Sequence, residues 1–334
     1  MTADRPVRVC VDAVGGDKAP SEVLMGVAAA LRALPDVSVT LVGPDEVVTP
    51  FADKHERVIA HPATETIGMD EHPASAVRSK KDSSIVVGCR LVREGEADAF
   101  FSAGSTGACM AAATLVMGRI RGVARPAIAT VIPTAGAPAV LLDVGANADC
   151  KAEHLVAFAH MGAAYARRVL DVTEPRVALL NIGEEPTKGS ALAIEAHEAM
   201  SAVVPGFVGN IEGRDVLSGE IDVIVTDGFT GNVTLKLLEG TSKTLLSQIK
   251  SEMTATPIRT VAAAVLAPGL KGLKARLDPD AYGGAPLLGV RGVCIIGHGS
   301  SNAYAVSQAI RVATTAVRND LTNAIAEAVE SPRT

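Results

Sequence analysis

Tryptophan is absent from the 334 residues of this chain, and aromatic residues make up only 3% of it. That leaves too few stacking platforms for single-stranded nucleic acid, so nucleic acid is not an expected partner. Five cysteines (Cys10, Cys89, Cys109, Cys150, Cys294) are scattered without a Cys-x-x-Cys pair or a zinc-like His spacing. They read as buried, reduced thiols of a cytoplasmic protein, and no metal site is expected. Three nucleotide and nucleophile signatures are also missing. Gly-x-x-x-x-Gly-Lys-Ser/Thr excludes a P-loop by its absence, Gly-x-Gly-x-x-Gly a Rossmann dinucleotide site, and Gly-x-Ser-x-Gly a hydrolase elbow. No apolar run approaches the ~20 residues of a membrane span, the nearest being VAAAVLAPGL at 261–270. The opening MTADRPVRVCVD has no apolar core behind a basic start, so no secretory signal is expected.

What remains is rich in Ala, Val and Gly, with 48% hydrophobic and 20% charged residues, the balance of a soluble globular protein. Short β-branched runs alternate with helical ones: VRVCVDAV (7–14), VSVTLVG (37–43), 58–61, AFFSAG (99–104), RVALLNIG (176–183), IDVIVTD (221–227) and GVCIIGH (292–298) are each followed by a helical stretch. Such alternation predicts an α/β protein, a three-layer α/β/α sandwich on a mainly parallel, doubly wound sheet. AIATVIPT (127–134) and AVLLDVGA (139–146), joined by a short turn, predict one antiparallel pair. No repeat or linker divides the chain, so residues 1–334 read as a single domain, with two lobes joined at the 127–146 hairpin as the alternative.

Four loops break apolar runs with Gly, Ser, Thr, Asn and Asp before a helix restarts: 12–20, 102–108, 227–232 and 297–303. At the carboxyl edge of a sheet, such helix starts turn N–H groups toward a small anion, which predicts a phosphate site. The candidates are Asp12, Gly15 and Gly16; Ser102, Gly104, Ser105, Thr106 and Gly107; Asp227; and His298, Ser300 and Ser301. An N-cap by Ser105 or Thr106, a simple cap by Asn232 and a buried, satisfied His298 are the structural alternatives. LLNIGEEPTKGSAL (179–192) places Lys188 after a buried strand and at an expected helix start, where a cation opposes the macrodipole and suits an anionic ligand. Lys188 and Asn232 are the expected catalytic pair.

The net charge is -6, yet residues 241–276 carry Lys243, Lys250, Arg259, Lys271, Lys274 and Arg276 against Glu252 alone. This basic, apolar segment, 241–280, reads as an amphipathic helical protrusion cut into short pieces by Pro257 and Pro268. It suits anionic lipid or an acidic protein, with an ordinary solvated helical hairpin as the structural alternative.

The blocks DAVGGDKAPSE, AVRSKKDSSI, SAGSTGA, GRIRGVARPA, LLDVGANADCKAEHL, LLNIGEEPTKG, GNIEGRD, DGFTGNVTLK, YGGAPLLGV and HGSSNA, in this order over about 8–310, resemble those of the bacterial phosphate acyltransferases of phospholipid synthesis. Ser105 stands where that family usually has Asn, and Val14 where Met is common. The resemblance implies a fold related to phosphate acetyltransferases and isocitrate- or isopropylmalate-type dehydrogenases, a homodimer and no cofactor. It implies transfer of a long acyl chain from acyl-(acyl-carrier-protein) to inorganic phosphate, and peripheral association with the cytoplasmic membrane face. Acyl phosphate then passes to a membrane-bound glycerol-3-phosphate acyltransferase. Coenzyme A-dependent acyl transfer in the same fold and a non-catalytic sensor are the rival readings.

Overall fold

The computed structural model describes residues 5–276 and 279–330. Residues 1–4, the start of the segment read for a signal, lie outside the described residues, as do 277–278 within the basic segment and 331–334.

A continuous 11-stranded sheet runs in the order β3-β2-β1-β4-β11-β10-β5-β6-β9-β7-β8. The strands are β1 (Val7–Asp12), β2 (Val37–Gly43), β3 (Val58–Pro62), β4 (Ala99–Ser102), β5 (Ala127–Ile132), β6 (Ala139–Leu142), β7 (Val177–Leu180), β8 (Phe207–Ile211), β9 (Val223–Val225), β10 (Ala285–Leu288) and β11 (Val293–Ile296). Helices α1 (Ser21–Ala33), α2 (Asp45–Ala52), α3 (Pro73–Ser79), α4 (Ser84–Arg93), α5 (Thr106–Ala112), α6 (Ala152–Val169), α7 (Ala191–Val203), α8 (Gly228–Met253), α9 (Pro257–Arg276), α10 (Ala303–Arg318) and α11 (Leu321–Glu330) complete the chain.

Strand alternation divides the core into two layers. Val9 and Val11 of β1 point into one, with α1, α6, α7, α10 and α11. Cys10 points into the other, with α3, α4 and α5. The expected three-layer α/β/α architecture is therefore present, and β5 pairs antiparallel with β6 as the short turn predicted.

The relative direction of the two ends of the sheet is what the sequence did not reveal. β3, β2, β1, β4 and β11 are mutually parallel. So are β6, β9, β7 and β8. Three antiparallel pairings, β11 with β10, β10 with β5 and β5 with β6, join these blocks. An odd number of reversals makes the blocks run in opposite directions. The four glycine-rich loops thus divide between two edges of the sheet, correcting the expectation of a common carboxyl edge.

Three elements also depart from expectation. The helical stretch after 292–298 is two helices, α10 and α11, broken at Asp320 with φ 53°. α5 passes into a π-helical turn over Ala113–Met117. Pro257 opens α9 at its first turn and Pro268 lies inside it, so the basic segment forms two long helices rather than short pieces.

Candidate active site

At the first edge, β1, β4 and β11 end side by side, with Val11 and Ile295 both opposite Phe101. Asp12 is 1% exposed. Its Oδ2 accepts from Ser102 Oγ at 2.7 Å, and Ser102 Oγ accepts from the Gly104 N–H at 3.0 Å. Its Oδ1 accepts from the Val14 N–H at 3.1 Å. Burial raises the Asp12 carboxyl above its ordinary range, against hydrogen bonds from Ser102, Ser84 and the Val14 and Gly15 amides. A Cβ on Gly15 would lie 2.5 Å from Asp12 Oδ2, so glycine is what lets this loop close. Asp12, Gly15, Ser102 and Gly104 therefore shape the edge by bonding to one another. The Asp17 N–H donates to Gly299 O at 2.7 Å and ties loop 12–20 to loop 297–303, and Gly16 holds a left-handed φ of 104° beside it.

Ser105 is the N-cap of α5, its Oγ accepting from the Ala108 N–H at 3.4 Å. The structural alternative accounts for this side chain. Thr106 is exposed and Gly107 half-buried, with first-turn amides that need partners from outside the helix. His298 is exposed, not the buried histidine of the alternative reading. Its Nδ1 accepts from the Ser300 N–H at 3.3 Å, which puts the proton of the neutral ring on Nε2. Ser301 is buried just behind it.

The second edge is built on β6, β9 and β7, which end level: Val225 lies opposite both Leu142 and Leu179. Asp143, fully buried, accepts from the Ile128, Gly145 and Ala146 amides at 3.1, 3.2 and 3.0 Å. It also accepts from Asn147 N–H and Nδ2 at 2.7 and 2.9 Å. Burial raises this carboxyl too, opposed chiefly by the Ala146 amide and Asn147. The first turn of α8 is pressed onto the loop so shaped: Gly228 N–H donates to Asn147 O at 2.8 Å, and a Cβ on Gly231 would sit 1.9 Å from Asp143 O.

Asp227, not Asn232, caps α8, its Oδ1 accepting from the Thr230 N–H at 2.9 Å and its Oδ2 from Thr230 Oγ1 at 2.7 Å. Asn232 lies one turn in, exposed, and donates one Nδ2 hydrogen to Val144 O at 3.0 Å. The second hydrogen of that amide has no protein acceptor among the described residues.

Lys188 stands in the loop after β7, next to β9 in the sheet. α7 begins at Ala191 with Ser190 as N-cap, so Lys188 precedes the helix instead of opening it. Asn181 and Asn210 fix the loop: Asn181 Nδ2 donates to Lys188 O at 2.9 Å, and Asn210 Nδ2 to Glu185 O at 3.0 Å. Lys188 is exposed, and among the described residues its Nζ makes no hydrogen bond or ion pair. The nearby acid Glu184 faces Arg214 at 3.6 Å instead.

The structure thus brings Lys188, Asn232 and Asp227 to one edge, and Asp12, Gly15, Gly16, Ser102, Gly104, Ser105, Thr106, Gly107, His298, Ser300 and Ser301 to the other. Sequence reasoning missed Asp143, Asn147, Asn181 and Asn210, which hold the loops. All four stood in quoted blocks, LLDVGAN, LLNIG and GNIEGRD, and a polar residue ending an apolar run was the available signal.

Among the described residues no group of three or more His, Cys, Asp or Glu is arranged to hold a metal. Cys10, Cys89, Cys109 and Cys294 are buried free thiols; burial pushes Cys109 up to about 12 and Cys150 to about 11, far from thiolate reactivity. No helix of the described residues is long and apolar enough to cross a membrane. The α8 and α9 pair exposes Leu245, Ile249, Ile258, Val261, Val265 and Leu266. Glu252, the one acid between 241 and 276, is paired with Arg259 at 2.9 Å.

Residues 7–324 match the family described as "Fatty acid synthesis protein". A phosphate acyltransferase of Desulfitobacterium hafniense (strain Y51) is 52% identical over 313 residues, 92% of each chain. One of Heliobacterium modesticaldum is 49% identical over 326 residues, 96% of this chain and 97% of the relative. In three dimensions the chain resembles a phosphotransacetylase from Streptococcus pyogenes, with TM-score 0.62, 16% identity and 94% of both chains covered. It also resembles a branched-chain phosphotransacylase from Enterococcus faecalis, with TM-score 0.62, 15% identity, and 93% and 99% covered. These two distant likenesses establish the fold, and the family match with the close relatives establishes kinship: the chain belongs to the phosphate acyltransferase family and is an acyltransferase.

Proposed function

We propose that the protein transfers a long-chain acyl group from acyl-(acyl-carrier-protein) to inorganic phosphate, giving acyl phosphate for glycerol-3-phosphate acylation. The observation that carries this reading is the unpaired Lys188 ammonium, held by a clamped loop on the strand next to the one that feeds Asn232. Phosphate is nucleophilic at neutral pH and a thiolate is a good leaving group, so the enzyme needs chiefly to position the reactants and stabilise developing charge. Phosphate oxygen attacks the thioester carbonyl, Lys188 and the spare Asn232 N–H stabilise the tetrahedral oxyanion, and its collapse expels the carrier thiolate. The Thr106, Gly107, His298 and Ser300 donors of the other edge form a second anion-recognising surface, supported from behind by Asp12 and Ser102.

The protein acts as a homodimer without a cofactor, on the cytoplasmic face of the membrane. The exposed apolar residues of α8 and α9, with Lys243 and Lys250, meet lipid and the acidic carrier there.

The test is phosphate-dependent thiol release from a long-chain acyl-(acyl-carrier-protein), with hydroxylamine trapping of acyl phosphate in the same tube. Lys188→Ala and Asn232→Ala are each expected to lower kcat about 10²–10³-fold, as the loss of one oxyanion donor does. Near-normal turnover in both folded variants would overturn the residue assignment. Release without phosphate would make the enzyme a thioesterase, and preference for short coenzyme A thioesters would move the substrate to that carrier.

A further inference from the structure

α6 and α11 pack along the sheet face opposite α8, and near the carboxyl ends of α6 and α7 they leave a cavity of about 520 Å³. That volume lies in the ~300–1,000 Å³ range of small-molecule sites. One part of its wall is small and apolar: Ala163 and Ala164 from α6, Ala324 and Ala328 from α11, and Val203 and Val204 where α7 ends. The other part is ionisable, formed by His160, Arg167 and Arg168 of α6 and Glu327 of α11.

We propose that this cavity binds a single-chain amphiphile with an anionic head, the chain lying over the alanines and the phosphate or carboxylate head meeting Arg167 and Arg168. Both arginines are exposed, and neither guanidinium has an ion-pair partner among the described residues. Glu327 lines the cavity without pairing with them, so the wall keeps a net positive charge. Basic residues in a last turn complement the helix dipole, but the dipole requires no cavity beside them. Facing helices bearing alanine normally close up on each other, and here they leave a half-open space next to two free cations.

The site is distinct from the acyl-transfer loops. α6 starts just after the loop that follows β6 and runs back antiparallel to that strand. Its last turn therefore lies at the amino ends of β6, β9 and β7, opposite the loops of Asp143, Asn232 and Lys188. The proposal does not depend on the reaction proposed above.

His160 adds a pH dependence. It is half-buried, with Arg167 and Arg168 on its own helix, Glu327 on α11 and only apolar residues from the end of α7. Burial and then the charge of Arg167 hold its proton affinity below the usual value. An anionic head in the cavity restores that affinity, so binding strengthens as pH falls.

Calorimetric titration of the full chain with decyl phosphate and with decanoate, each below its micelle concentration, tests the proposal. Binding of either ligand is expected to survive Lys188→Ala, to weaken about tenfold or more in the double variant Arg167→Gln/Arg168→Gln, and to weaken similarly in Ala328→Phe, which fills the apolar end and leaves the charges in place. Each methylene removed from the chain is expected to cost about fourfold in affinity where it is fully buried. Affinity for decanoate, whose carboxylate stays ionised over this range, is expected to rise from about pH 7.5 to about pH 6, and His160→Gln to flatten that rise. Binding of neither ligand, binding unchanged in both cavity variants, or inorganic phosphate binding as tightly as decyl phosphate would overturn the proposal.

Discussion

Two buried carboxylates, Asp12 and Asp143, carry the local architecture, and neither faces solvent as a ligand group would. Asp143 accepts five hydrogen bonds, four of them from backbone amides that cannot turn away. Asp143→Asn sets an NH₂ against those donors and is expected to cost about 1–3 kcal/mol, the penalty of an unsatisfied buried polar group. Urea unfolding measures it, and a variant as stable as the parent would show that the loop re-forms around an amide. Asp12 differs, because two of its donors are the rotatable hydroxyls of Ser102 and Ser84. Its folded-state carboxyl titrates above the ordinary value near 3.8, so the folded state holds a proton that the unfolded chain has released. Stability linked to Asp12 is therefore lost as pH rises from about 4 through the raised value. Asp12→Asn removes that term and should gain stability relative to the parent over the same rise; unfolding at a series of pH values reads the slope, and the opposite slope would refute it. Ser105 as an N-cap was legible from a serine at a helix start. Asn232 was legible as a residue of interest but not in its bond to Val144, 88 positions away. Local pattern names a side chain without naming a distant partner.

Among elements, alternating strand and helix runs were legible because each buries one face or both with a regular period. β8 and β10 were not. Phe207–Ile211 includes Gly209 and an exposed Val208, and Ala285–Leu288 contains Pro286, so neither reads as an apolar strand. The glycines of α8 were legible as residues but not in their separate purposes, and the structure distinguishes them. Gly231 allows the helix to lie against Asp143 O, where an added Cβ would come within 1.9 Å. Gly240, in the same helix, has nothing within 4 Å of that position. Gly231→Ala must push α8 off the 143–147 loop and is expected to destabilise by at least about 1–3 kcal/mol, the cost of overpacking. Gly240→Ala should instead stabilise by about 0.5–1 kcal/mol through helix propensity. Opposite shifts in thermal midpoint are the expected result; equal shifts would mean that helix position does not matter here.

For the whole molecule, the alternation of strand and helix runs indicated an α/β sandwich on a mainly parallel sheet, but it does not carry the relative direction of the two parallel blocks. That is why the site, expected at one edge, falls into two groups on oppositely directed blocks. Hydrogen bonding runs unbroken from β3 to β8 through all eleven strands. Charge is distributed at the same scale. The chain is net -6, while residues 241–276 hold six basic residues against Glu252, and that glutamate is already paired with Arg259. This stretch therefore combines positive charge in its sequence with the exposed aliphatic side chains of α8 and α9, and the two attractions respond differently to salt. Coulomb attraction to anionic lipid fades as the screening length falls from about 10 Å at 0.1 M salt to about 3 Å at 1 M, whereas apolar insertion does not. Co-flotation with anionic vesicles is expected to weaken with salt, and charge reversal at Lys271, Lys274 and Arg276 to Glu should abolish its salt-sensitive part. Val261→Ser/Val265→Ser should remove the salt-resistant remainder. Flotation of the charge-reversed protein equal to that of the parent at low salt would mean that these three charges do not carry the lipid contact.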